Sequence, residues 1–213
     1  MNSFERFAGL CSLAVAFGAI AFAAIFAVIV GGSHQGKPFF ALLLGGAILI
    51  VPVLVAIFQR LRETDEAFAL TALVLGSLGA LGGILHGGYE LAALETPPTE
   101  GYYPGLESVS KGVLRYGSAG LALVLVGWLI LRGARLPRLL GYVGIFGGGL
   151  LVLIYFGRLY DFITPASHTS LIPPFLYGFI VHPIFYGTLG LVLWREGAQE
   201  RSVSSSVTAG TTY

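Results

Sequence analysis

The sequence predicts an all-α protein built as a six-transmembrane-helix bundle, and three observations lead there. Of its 213 residues 55% are hydrophobic and only 11% charged, with a mean hydropathy of +0.83; soluble domains carry about 25% charged residues. Six apolar runs of roughly bilayer-crossing length, which for a helix means about 20 residues, are separated by short polar segments. Glycine is abundant, 31 residues, roughly twice the usual share, as expected where helix backbones approach closely in a membrane.

The first span is placed at 8–30, after a short amphipathic start carrying Glu5 and Arg6. Its length exceeds the roughly 7–15 residues of a signal-peptide core, so it reads as a helix that is retained. A turn with His34 and Lys37 leads to the second span, 39–58, with Pro52 inside it; transmembrane helices tolerate proline where neighbours satisfy the freed carbonyl. The charged loop Gln59–Glu66 precedes the third span, 67–94, which ends in His86-Gly87-Gly88-Tyr89-Glu90. The segment 95–111, with Pro97, Pro98, Tyr102, Tyr103 and Pro104, suits the headgroup layer. Spans four, five and six follow at 112–131, 139–156 and 175–194, the last interrupted by His182-Pro183. Residues 1–195 thus form one transmembrane domain, and 196–213 read as a flexible Ser/Thr-rich cytoplasmic tail with little to bury.

Six spans put both termini on one side. Eight of the twelve Lys and Arg residues (Arg6, Arg60, Arg62, Arg132, Arg135, Arg138, Arg195 and Arg201) fall on that side. Since basic residues are retained in the cytoplasm, the expected topology is N-in/C-in in a bacterial-type inner membrane. A net charge of +1 without a concentrated basic face excludes nucleic acid as a partner. The single cysteine, Cys11, excludes an intramolecular disulfide and a cysteine zinc cluster. The partners in view are the lipid bilayer, a small solute, and a protein partner or second copy.

The run Gly127 to Gly141, Gly-Trp-Leu-Ile-Leu-Arg-Gly-Ala-Arg-Leu-Pro-Arg-Leu-Leu-Gly, resembles a bacterial integral-membrane family catalogued as a domain of unknown function. Its members look like six-helix proteins with a Leu-Pro-Arg-x-Leu-Gly turn between helices four and five, here Leu136 to Gly141. The resemblance implies the fold and carries no activity or catalytic residues with it.

Chemistry concentrates at the end opposite the termini. His86 and Glu90, four apart, share one helix face, and ionisable groups at membrane depth mark functional sites by default. With Arg115, Arg158, Asp161 and His182 they form a candidate polar pocket; the competing reading is a set of solvated helix ends. His86, Glu90 and His182 are a ligand set suited to zinc or non-haem iron, and His86 with His182 to axial haem ligation. No His-Glu-x-x-His pattern supports metal, and no cofactor is favoured. Pro183 frees a carbonyl within the sixth span, a feature of transporter sites. Gly79, Gly83 and Gly87 on the third span, and Gly144 and Gly148 on the fifth, have the four-residue spacing of close helix contacts, so these two helices are expected to pack through their glycine faces in the bundle interior. No nucleophile–base arrangement and no phosphate loop can be read. The sequence therefore expects a non-enzymatic accessory or solute-handling bundle, with a metal- or haem-binding protein as the alternative.

Overall fold

The computed structural model describes residues 3–30, 36–95, 112–133, 135–163 and 172–209. Apart from short turns these are helical, with no strand among the described residues. The helices are α1 (Ser3–Val30), α2 (Lys37–Leu61), α3 (Glu66–Glu95), α4 (Val113–Gly133) and α5 (Arg138–Ile163). The sixth, α6, begins as Ile172–Leu176, widens into a π-helical turn over Tyr177–Val181 and continues as α-helix over His182–Ala209. All six are long and apolar enough to cross a membrane.

Each helix runs past the apolar span expected of it, because a helix need not end where its hydrophobic stretch does. α5 carries Arg158 and Asp161 within its last turns. α6 remains helical through Ala209, where a flexible tail was expected from residue 196; the segment 198–209 contains neither Gly nor Pro to end it. α2 passes through Pro52 without a break. The turn Leu136–Gly141 has a packing logic: Leu136 and Leu140 are both buried, and the Leu140 N–H donates to the Pro137 carbonyl at 2.9 Å as α5 starts.

Sequence neighbours are also spatial neighbours. α1 packs on α2, α2 on α3, α3 on α4 and α4 on α5, while α6 closes the set by lying along α1 and touching α5. The result is a ring of six helices. Glycines set its closest seams. A Cβ on Gly148 would lie 2.6 Å from the Gly120 carbonyl oxygen, and one on Gly127 2.6 Å from that of Gly141, so α4 and α5 meet backbone to backbone. Gly9 and Gly190 do the same for α1 and α6. On α3, Gly79 and Gly82 face α4, whereas Gly83 and Gly87 face α2. Gly144 faces α4 and Phe185 of α6. The glycines of α3 and α5 therefore serve different seams, and both helices use α4 as a common neighbour.

The end of the ring near the termini is solid. Leu61, Leu129, Ile130, Leu140, Leu189 and Leu193 are all almost fully buried there. Beside them Glu5, 1% exposed, receives two hydrogen bonds from Arg60, Nε to Oε1 at 3.0 Å and Nη2 to Oε2 at 2.9 Å. The pair joins the first turn of α1 to the last turn of α2, so each charge also sits at the helix end whose dipole favours it. Arg132 pairs with Asp65 at 3.9 Å and Arg135 with Glu63, linking the α4–α5 turn to the α2–α3 turn. The outer surface, in contrast, is a belt of exposed apolar side chains, among them Phe17 (71% exposed) and Phe156 (61%).

Candidate functional site

The centre of the ring holds a cavity of about 180 Å³. All six helices line it, for example through Val15 of α1, Leu43 of α2, Gly83 of α3, Arg115 of α4, Leu151 of α5 and His182 of α6. Most of the wall is apolar. The polar exceptions come from two helices: Arg115 and Tyr116 on α4, and Tyr177, His182 and Tyr186 on α6.

The π-helical turn explains how α6 supplies three of these. An α-turn stacks residues four apart, while an i→i+5 turn stacks residues five apart. The wide turn therefore brings Tyr177 over His182, and the α-helix that resumes brings His182 over Tyr186. Ring centroids lie 5.4 Å apart for Tyr177–His182 and 4.5 Å for His182–Tyr186. The His182 N–H donates to the carbonyl of Tyr177, five residues back. Pro183 has no N–H to give, so neither residue supplies a donor to the Gly178 carbonyl, and Gly178 lines the cavity. Gly147 of α5 makes room for this bulge: a Cβ there would lie 2.7 Å from Val181 Cγ1. Ser12 of α1 donates to the Tyr186 carbonyl at 2.7 Å and fixes α6 from the other side.

Arg115 is the one charged residue among the described residues that line the cavity. Its chain runs past Gly83, where a Cβ would come within 3.7 Å of Cδ, and its guanidinium carbon lies 5.5 Å from the centre of the Tyr116 ring. Among the described residues no carboxylate pairs with it. Its charge is within electrostatic reach of Tyr177, His182 and Tyr186. The His182 Nδ1 is buried and has no hydrogen-bond partner among the described residues. An unpaired guanidinium, three phenol groups and an unsatisfied imidazole nitrogen thus face one small space.

Of the residues singled out from the sequence, the structure brings Arg115 and His182 to the same cavity. His86 and Glu90 are not among its lining residues. The His86 ring meets Phe40 of α2 edge-on at 6.3 Å and lies beside Gly112, whose φ of +65° suits the glycine that launches α4. His86, Glu90 and His182 do not converge on one point: among the described residues no group of three or more His, Cys, Asp or Glu could hold a metal ion. Arg158 lies on the same stripe of α5 as Leu151 and Ile154, both of which line the cavity, and its Nε is buried without a partner. The Asp161 side chain lies outside the described residues. Tyr116, Tyr177 and Tyr186, absent from the sequence-based set, complete the polar wall.

The fold and site together define a ring of six apolar helices around a small, partly polar central cavity. Comparison with protein-family models, with curated proteins and with solved structures finds no match to this chain.

Proposed function

We propose that this is a multi-pass inner-membrane protein, with both termini cytoplasmic, that admits a small solute to its central cavity. The observation that carries the reading is the group of Arg115, Tyr116, Tyr177, His182 and Tyr186 in a cavity whose described lining is otherwise apolar. Polar groups at such depth are costly and are retained where they serve a ligand or an ion path. Two further features support it. The exposed belt that includes Phe17, Phe146, Leu153 and Phe156 is the kind of surface lipid covers and water does not. The basic residues cluster at the terminal end, which favours retaining that end in the cytoplasm. Because the same end is filled by Leu61, Leu129, Ile130 and Leu193, the solute reaches the cavity from the opposite side.

Thermal unfolding of detergent-solubilised protein against neutral, cationic and anionic solutes of up to about six heavy atoms tests this reading. At least one class should stabilise the wild type, since a ligand that binds only the folded state raises stability with concentration. Gly46→Leu, whose side chain starts from a Cβ position with no atom within 4 Å, should fold and lose the effect. A wild type indifferent to every class would refute it.

A further inference from the structure

We infer that the solute is a small organic monoanion, a short-chain carboxylate held through its carboxylate group by Arg115; the inference rests on the solute-handling reading above and names its ligand class. Arg115 brings a guanidinium, a positively charged fork of five N–H donors with no acceptor, to this cavity. Arg115 is half-buried in this wall, and neither the described carboxylates nor the described lining residues supply it a partner; among the described residues the lining contains no Asp or Glu. The space therefore repels cations and leaves a neutral guest with the guanidinium unpaired. It favours an anion.

Geometry and count narrow the class. A planar carboxylate offers two oxygens to the forked donors of a guanidinium. Tyr116, Tyr177 and Tyr186, each with an O–H to give, and His182, whose Nδ1 donates in the tautomer that carries its proton there, line the same wall and suit the remaining lone pairs. Among the described lining residues Arg115 is the one cation, so a dianion such as sulfate or hydrogen phosphate would bring one charge too many. The rest of the wall is hydrocarbon from Leu43, Ala80, Val126, Leu151 and Ile154, which suits an aliphatic tail and offers nothing to a second polar group. The volume of about 180 Å³ sets the length, since an apolar cavity of about 150 Å³ accommodates benzene. Six heavy atoms, as in butyrate, fit.

Equilibrium binding of radiolabelled butyrate to the purified full chain tests this, with butyramide, butylammonium, chloride and phosphate as competitors. Saturable binding is expected, displaced by acetate or propionate, and displaced weakly or not at all by the four competitors. Arg115→Gln should weaken binding on the order of 10- to 100-fold, the worth of a charged hydrogen-bonded pair, and Arg115→Lys should retain part of it. Displacement by butyramide as effective as by unlabelled butyrate, with Arg115→Gln unaffected, would overturn the anion inference and leave the solute reading standing. Equal displacement by chloride would overturn the role of the tail, and by phosphate the single charge. No binding of butyrate or any competitor to the wild type would overturn both. If Arg115→Gln fails to fold, competition on the wild type decides alone: displacement by the amide overturns the proposal and its absence supports it.

Discussion

Gly148 and Gly149 are adjacent on α5, yet the ring treats them oppositely. A Cβ on Gly148 would meet the Gly120 carbonyl oxygen at 2.6 Å and the Val124 nitrogen and Cγ2 at 2.7 Å, whereas one on Gly149 meets nothing within 4 Å. Alanine at either position gains the same helix propensity over glycine, up to about 1 kcal/mol, so that contribution cancels in the comparison. What remains is the clash. Two of its three atoms are backbone, which cannot rotate away, so α4 and α5 must separate by roughly 1 Å to restore ordinary contact. A gap of that order forfeits about a quarter to a half of the dispersion energy of the contacts it opens, and overpacking a tight site costs ~1–3 kcal/mol. Gly148→Ala should therefore be less stable than Gly149→Ala by ~1–3 kcal/mol. At about 2–4 °C per kcal/mol for a chain of this size, the unfolding midpoints should differ by several degrees in the same detergent, followed by helical circular dichroism. Equal midpoints would refute the backbone-to-backbone seam between α4 and α5.

Breaking the Glu5–Arg60 pair by Arg60→Ala should destabilise the protein by ~3–5 kcal/mol, because it strands a buried carboxylate; a midpoint within experimental error of wild type would show that the terminal end is not locked by this contact. Arg135→Ala, which removes the exposed partner of Glu63, should change stability by less than about 1 kcal/mol. A loss as large as that of Arg60→Ala would contradict the difference in burial.

Hydropathy made the six helices legible, since composition and run length alone separate a bilayer-length helix from a soluble one. Their ends were less so: Arg158 and Asp161 look like a loop when only hydrophobicity is followed, although nothing in either side chain stops a helix. The site was half legible. Arg115 and His182 drew attention as ionisable residues in apolar surroundings, and both line the cavity. His86 drew the same attention and lies outside it, because spacing along α3 does not tell which neighbour a helix face meets. Tyr177 and Tyr186 were hidden by periodicity. Tyr177 is five residues before His182 and Tyr186 four after it, a pattern that puts all three on one face only if a π-turn intervenes, and Pro183 is the one local hint of such a turn. In the sequence Glu5 belongs to a short amphipathic start and Arg60 to a charged loop, with nothing to connect them. Their pairing needs the antiparallel contact of α1 and α2, which no single-helix pattern contains.

The central claim is that the ring encloses a cavity reached from the side opposite the termini and closed on the terminal side. Cysteine placed at Gly178 or Ala119, both cavity-lining, in a Cys11→Ser background reports it directly through a membrane-impermeant thiol reagent applied to sealed vesicles of either orientation. The native Cys11 is buried, so its removal eliminates background without disturbing the cavity. Labelling from the outer face alone, slowed by a solute that occupies the cavity, is the predicted result. Labelling from the cytoplasmic face, or none from either side in a folded protein, would contradict the account.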